Sequence, residues 1–531
     1  MRSAHRVGCQ GSHARARALL AALSCSLSLS VPAARGSQAP LAGLDAYVRS
    51  AMAEWKVPGL AVAVVKDGRV VLARGYGVRE LGKPGRVDAD TLFTIASNSK
   101  AFTAASLGTL VSAGKLVWDA RVVKYLPDFR LASPYVTQEI TLRDLLSHRT
   151  GYCDPTMMWY TSRDTADNVI RRLRFQKPRY GFRAHFCYNN TMYLVASRLI
   201  PAITGESWNR YVAARFFAPL GMTRTVTTTE ALERATDVAV PHGRVDGKVR
   251  VIRRFWAGDA DVFAPVGNIN SSVNDMSHWL IMLLADGRYE GRTVLDPSVI
   301  AAMESPQEIV QTHSDLGRWM RTQTPHGRFY AYGLGFMLQE YGGQKLVWHA
   351  GDIDGMACAL GMLPREHLGV VVLSNLNGNR APEGVMFYVL QSYLKLAHRD
   401  VSRAMFAFVR KERNAEHAMA GKLAATRRPG TKPPLPLGAY SGKYSDDFYG
   451  SARVSEAHGR LVVRLGNPMF TGDMQPWHGN TFRVLWRYHF YGKSYATFGV
   501  DALGQVVGLS FADMPVHYER AHPKEAAAAG G

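Results

Sequence analysis

Between Asp45 and Trp55 apolar residues recur at helical spacing, and the continuous apolar run 60–65 followed by 70–73 predicts a β-hairpin that turns at Asp67-Gly68. Helical spacing returns over 101–113, 166–173, 191–203, 208–217 and 275–284. Strand-like runs follow late, at 333–339, 345–348, 355–363 and 369–373, before a further helix over 384–396. A hairpin first, helices in the middle, and strands plus a helix last imply an α/β domain whose antiparallel sheet is completed by both ends of the domain. From 398 to 425 the pattern is that of a charged helix, and 427–436, with Pro429, Pro433, Pro434 and Pro436, reads as a stiff linker. Beyond it, 438–521 is rich in Tyr, Phe, Val and Gly, with short runs such as 452–455 and 460–465 turning at His458-Gly459. These predict a small antiparallel β-barrel or sandwich.

Composition narrows the class without naming a function. The 531 residues are 47% hydrophobic and 20% charged, ordinary globular material with room for two domains. Residues 1–36 hold five arginines and no acid, followed within that stretch by the apolar run 18–31 and by Pro32-Ala33-Ala34-Arg35-Gly36, a pattern expected of a secretory signal peptide. Cys25 after Ala22-Leu23-Ser24 faintly resembles a lipoprotein box, although the preceding apolar run is short. That run also falls short of the about 20 apolar residues a membrane-spanning helix needs. Of the formal net charge of +21, +16 lies beyond residue 36, spread along the chain apart from Arg410-Lys411-Glu412-Arg413 and Arg427-Arg428. It reads as a solvated basic surface, and no nucleic-acid module accompanies it. The histidines lack ligand spacing and paired C-x-x-C is absent, so no metal and no cofactor is expected. The segment 522–531 is expected to be a disordered tail.

The chemistry begins at Ser97-Asn98-Ser99-Lys100, which opens the apolar run 101–110. On a helix this spacing sets a hydroxyl and an ammonium one turn apart on one face. A free serine hydroxyl is a poor nucleophile, and a desolvated lysine of lowered pKa can take its proton. Alone, the tetrad also fits a helix-capping serine beside a solvated lysine.

Two later motifs stand in the order expected of penicillin-recognising serine hydrolases. Tyr188-Asn189-Asn190 is similar to the Y-x-N of class C β-lactamases and their esterase and D-aminopeptidase relatives, and His349-Ala350-Gly351 resembles the H-x-G that many of those relatives carry in place of K-T-G. Non-catalytic landmarks agree, among them Pro58-Gly59-Leu60, Phe93-Thr94-Ile95-Ala96-Ser97, Leu145-Leu146-Ser147-His148-Arg149-Thr150-Gly151 and Gly267-Asn268-Ile269-Asn270-Ser271-Ser272. The resemblance spans about 41–397 and implies a β-lactamase/transpeptidase-like α/β fold, an antiparallel sheet with a helical subdomain. The segment 438–521 resembles the lipocalin-like domain that follows the catalytic domain in several such hydrolases. The implied organisation is 1–36 signal, 37–397 catalytic domain, 398–437 helix and linker, and 438–521 barrel.

The resemblance also implies roles. Ser97 is the nucleophile, and Lys100 and Tyr188 share the proton traffic, with Tyr188 held partly ionised or hydrogen-bonded by cationic neighbours. Asn190 orients the substrate amide and Lys100. Backbone N–H groups of Ser97 and Asp352, the residue after Gly351, form the oxyanion hole. His349 is expected to supply a hydrogen-bond donor near Tyr188 but, unlike lysine, carries full charge only at lower pH. His148 belongs to a structural segment in the family. Cys153 and Cys187 are the pair to test for a disulfide, since the landmarks beside them both approach the family's active site. Trp159 and Tyr160, in the 154–162 loop, either line the pocket or pack. The expected activity is an exported serine hydrolase acting on a small ester or a D-amino-acid-containing peptide. The alternatives are an acyl transferase, a β-lactamase, or a non-catalytic scaffold of the same fold.

Overall fold

The computed structural model describes residues 40–521 except 255–259, 325–328, 426, 428, 429 and 431. The expected signal, the Cys25 box and the tail lie outside the described residues. Helix α1 (Leu44–Trp55) leads into the hairpin β1 (Gly59–Lys66) and β2 (Arg69–Gly77), and the strands that complete the sheet arrive more than 200 residues later. These are β3 (Glu308–Ile309), β4 (Tyr330–Tyr332), β5 (Met337–Tyr341), β6 (Gln344–Ile353), β7 (Met356–Leu363) and β8 (Leu368–Ser374). They form one eight-stranded sheet in the order β2-β1-β8-β7-β6-β5-β4-β3, antiparallel at every junction.

The unbroken apolar character of β1 has a simple cause: both of its faces are covered. Leu60, Val62 and Val64 pack into a core shared with α1, helix α6 (Ala381–Tyr393) and the start of helix α7 (Val401–Ala425). Ala61, Ala63 and Val65 face the other core, which holds helices α2 (Ser99–Ser112) and α4 (Val273–Leu284) and the helical subdomain. The period-2 alternation of a strand thus divides one apolar run between two layers.

Three predicted elements come out differently. The strand expected over 333–339 opens instead on a turn in which Gly333 N donates to Phe336 O at 2.8 Å, so that only 337–339 lie in a strand, β5, and the turn joins it to β4. Gly335 sits in this turn at φ +87°, and a Cβ there would lie 2.9 Å from Ala101 Cα, so the turn presses on the first residues of α2. The helix over 191–203 is broken into α3 (Asn190–Ser197) and Leu199–Thr204, where Pro201 offers no N–H to continue the ladder. The helix over 208–217 relaxes from an α segment, Trp208–Val212, into one π turn, Ala213–Phe217.

After α6, the long helix α7 leads to a closed barrel of eight antiparallel strands, from Gly442–Asp446 to His517–Arg520. Closure pairs the first strand with the last, Tyr444 opposite Arg520, and the interior is filled by side chains including Tyr440, Phe482, Trp486 and Phe498. The barrel rests on the catalytic domain through specific bonds. Asn467 N and Nδ2 donate to the carbonyls of Thr161 (2.6 Å) and Tyr160 (3.0 Å), and Arg253 N donates to Tyr488 Oη at 2.7 Å.

Candidate active site

Ser97 lies at the entry to α2. A short strand pair, Phe93–Thr94 with Asn270–Ser271, delivers the chain to a 3₁₀ turn, Ala96–Asn98, and α2 starts at Ser99. Ala96 adopts φ +43°, a left-handed conformation that strains a non-glycine residue. This sharp entry lifts Ser97 from the otherwise buried Asn98-Ser99-Lys100 segment, so that Ser97 alone of the tetrad is partly exposed.

The residues expected from the three motifs converge here. Tyr188 Oη donates to Ser97 Oγ at 2.8 Å. Lys100 Nζ lies 3.1 Å from Ser97 Oγ, 2.7 Å from Asn190 Oδ1 and 2.8 Å from Val266 O. Of these three partners, Val266 O can only accept. Asn190 Oδ1 also accepts, because its own Nδ2 is turned toward the Asp154 carboxylate at 2.8 Å. A neutral lysine amine gives its two N–H groups to those acceptors and presents its lone pair to the serine hydroxyl. Burial pulls the Lys100 pKa down to about 7, against the opposing charge of Asp154. Lys100 is therefore poised to act as a base near neutral pH.

Of the two states expected for Tyr188, partly ionised or hydrogen-bonded, it takes the second, with Ser97 and not a cation as the partner. Desolvation pushes its phenol well above the ordinary value, and the hydrogen bond to Ser97 only partly offsets this. It is a protonated donor, suited to relaying a proton rather than to removing one first.

His349 also differs from expectation. It sits on the inner strand β6, but its Nε2 is 3.1 Å from Tyr332 Oη, and its ring centroid is 6.2 Å from that of Tyr188. Its hydrogen-bond partners are Tyr332 and, through Nδ1 at 2.5 Å, the Ala350 carbonyl, not Tyr188. Burial, with Lys100 adding to the effect, lowers its pKa to about 3, so the third motif carries no cation at neutral pH. His148 is likewise neutral and buried, its Nδ1 accepting from Asn189 N at 3.1 Å while its ring packs on Tyr188. Its place is structural.

Gly351 is where β6 comes closest to the nucleophile turn. A Cβ at this position would lie 2.7 Å from Ala96 Cβ and 3.0 Å from Ser97 N, so only glycine lets the strand approach. The next residue, Asp352, is held from behind: its Oδ2 accepts from Gly378 N (2.9 Å) and from Arg380 Nη1 (3.1 Å). Arg380 also pairs with the buried Glu383 at 3.5 Å and lies over the Trp319 ring at 5.7 Å. Desolvation raises the carboxyl pKa of both acids, Glu383 to about 7.

Cys153 and Cys187 are joined in a disulfide. The bridge ties Asp154 and Tyr188, each the residue following a bridged cysteine, and Asp154 N also donates to Tyr188 O at 3.0 Å. The remaining described cysteine, Cys358, is free and buried, its Sγ between Asn98 Nδ2 and Ile95 O.

The cavity over Ser97 measures about 440 Å³. Its outer wall is Leu316, Arg318 and Trp319 of helix α5 (Asp315–Gln323) together with Phe408 and Glu412 of α7. Trp159 and Tyr160 pack instead: Trp159 stacks on Phe263, and Tyr160 Oη donates to Asp354 Oδ1 at 3.2 Å beneath the barrel. Asp154, Val266, Tyr332 and the α5–α7 wall carry no motif in the sequence, since each joins the site only through tertiary contact. Among the described residues no group of three His, Cys, Asp or Glu could hold a metal ion, and no helix is long and apolar enough to cross a membrane.

A serine at a sharp helix entry, a buried lysine, a tyrosine donor and a glycine-edged strand are set together on this fold, and residues 44–395 match the model of the beta-lactamase family. The chain belongs to the beta-lactamase family. Residues 426–524 match a second model, a domain of unknown function designated DUF3471. The chain is 28% identical to the unguisins hydrolase ungD of Aspergillus violaceofuscus over 91% of its own length and 87% of that protein's. It is 25% identical to protein flp of Staphylococcus aureus over 64% of each chain. Among solved structures, the octameric penicillin-binding protein homologue of Pyrococcus abyssi aligns over 90% of this chain and 99% of its own, with a TM-score of 0.58 at 22% identity. SurE aligns over 91% and 99%, with a TM-score of 0.51 at 18% identity. These two likenesses establish the shared fold, which here joins the beta-lactamase-type domain to a barrel.

Proposed function

We propose that this beta-lactamase family member is an exported serine hydrolase that cleaves a small ester, or an amide of a D-amino-acid-containing peptide, through an acyl-enzyme on Ser97. The observation that carries the reading is the bonding of Ser97 Oγ to both Tyr188 Oη (2.8 Å) and Lys100 Nζ (3.1 Å). In acylation, Oγ attacks the substrate carbonyl while its proton passes to neutral Lys100. The carbonyl oxygen gains negative charge facing the backbone N–H groups of Ser97 and Asp352. Tyr188 then gives its proton to the departing oxygen or nitrogen as the C–O or C–N bond breaks, and the proton that Lys100 took from Ser97 balances the phenolate left behind. Water repeats the sequence on the ester, with Lys100 and Tyr188 as base and Ser97 as leaving group.

A relative named as a hydrolase, aligned over most of this chain, favours water over an amine as the acceptor. The neutral His349 supports an uncharged or weakly anchored substrate end over the carboxylate of a β-lactam. Export is supported by the basic, apolar and small-residue order of residues 1–36 and by the Cys153–Cys187 disulfide, which persists in oxidising compartments.

The test is parallel assay of the purified protein on a D-alanyl p-nitroanilide and a short-chain p-nitrophenyl ester, with Ser97→Ala as control. Ser97-dependent release from either substrate is the expected result. Turnover unchanged in Ser97→Ala would remove the nucleophile assignment.

A further inference from the structure

A second cavity, about 860 Å³, shares no lining residue with the one over Ser97. Its walls come from residues 125–130, from the helix Ala166–Arg172 with the turn Leu173–Phe175, and from the junction of α3 with Leu199–Thr204. Four guanidinium groups line it, those of Arg130, Arg171, Arg174 and Arg198, against the carboxylates of Asp128 and Asp167.

Asp167 is taken, paired with Arg198 at 2.6 Å. Among the described residues the other three arginines have no carboxylate partner and are tethered by neutral acceptors. Arg130 Nη1 donates to Pro127 O (2.5 Å) and Phe129 O (2.8 Å), Arg171 Nη1 to Asn168 Oδ1 (2.9 Å), and Arg174 Nε to Arg171 O (3.0 Å). These bonds use one edge of each fork and leave further N–H donors unengaged.

Three cations on one concave surface repel one another, and Asp128 offers the only remaining lining carboxylate. The three are exposed, so water and Asp128 offset that repulsion in part, and a multiply charged anion would offset it further. A guanidinium fork matches phosphate oxygens two at a time, and a concave basic surface concentrates anions. We propose that this cavity binds a ligand carrying two or more phosphate groups, held by Arg130, Arg171 and Arg174. Leu126, Ile170 and Pro201 in the same lining give it an apolar side, so the phosphates belong either to a free oligophosphate or to a lipid headgroup.

The test uses the full chain. Binding of inorganic tripolyphosphate is followed by titration calorimetry, and binding to phosphatidylcholine vesicles doped with phosphatidylinositol 4,5-bisphosphate by co-sedimentation. The parent protein is compared with Arg171→Glu/Arg174→Glu and with a charge-matched control, Arg292→Glu/Arg365→Glu, on exposed residues that do not line the cavity. The expected result is binding of at least one probe, weakened at least ~10-fold in the cavity variant and unaltered in the control. Tripolyphosphate binding marks a free phosphate ligand, and vesicle binding alone marks a headgroup. Binding of neither probe, or equal weakening by both double variants, overturns the proposal. Unchanged circular dichroism and Tm in the cavity variant exclude misfolding as the cause.

Discussion

Asp154 grips Asn190 twice, its Oδ1 accepting the backbone N–H at 3.0 Å and its Oδ2 the side-chain Nδ2 at 2.8 Å. This bidentate hold decides which way the Asn190 amide faces, and so makes its oxygen, not its nitrogen, the partner of Lys100. Asp154 is a positioning residue, one step removed from the reacting atoms.

For Asp154→Ala the expected result is a ~10–100-fold fall in kcat/KM, since the amide is free to turn and the base loses its fixed acceptor. The negative charge of Asp154 opposes the depression of the Lys100 pKa. Its removal therefore moves the acid limb of the pH profile to lower pH. Loss of rate with an unmoved limb would argue for a purely structural role.

The parent profile follows from the same lysine. With Lys100 at about 7, the base is protonated and inactive on the acid side. The kcat/KM of a neutral substrate should rise through pH 7 and level off above it, with about a tenfold deficit at one pH unit below the midpoint. Tyr188→Phe should lower kcat by ~10²–10⁴-fold while retaining this limb, because Tyr188 relays the proton and Lys100 sets the titration. Stopped assays across pH 5–9 on both proteins check both statements.

Arg380 balances two carboxylates beside strand β6. Arg380→Met would leave the buried Glu383 and the pinned Asp352 without their cation, and breaking such a pair costs about 3–5 kcal/mol. Both acids already have raised pKa values, so protonation relieves them. The Tm deficit of the variant should be largest at alkaline pH and shrink as the pH falls through 7. Thermal unfolding at several pH values measures this.

Phe408 closes the outer side of the substrate cavity from α7. Phe408→Ala should raise KM several-fold for a substrate with a bulky acyl group and leave kcat for a small acetyl ester nearly unchanged. That split separates a binding wall from a general destabilisation.

How far these features were legible depends on the range of the interactions that create them. Ser97 and Lys100 are three residues apart, and Tyr188 and Asn190 two, so short spacing displays them in the sequence. Asp154 is as important to the geometry, but it meets Asn190 across 36 residues and lies in no motif. The phenol of Tyr332, which takes the place beside His349 expected of Tyr188, comes from a strand that ends just before the run 333–339 and lies in no predicted element. Its strand ends because Gly335 turns the chain at positive φ, a backbone event that hydrophobic patterning does not register. The strands of the barrel were readable from alternation, whereas its closure rests on pairing between Tyr444 and Arg520, which no local pattern encodes. The pKa directions of Tyr188 and His349 arise from burial and could not be assigned from residue type.

Helix α7 joins the two domains, and its Phe408 and Glu412 also face Ser97 across the cavity. The segment that tethers the barrel is thus part of the wall of the cavity over Ser97. Exchange of the chain from α7 onward between relatives would change the wall over Ser97 along with the architecture, and a chain ending just before Phe408 would leave that side of the cavity open.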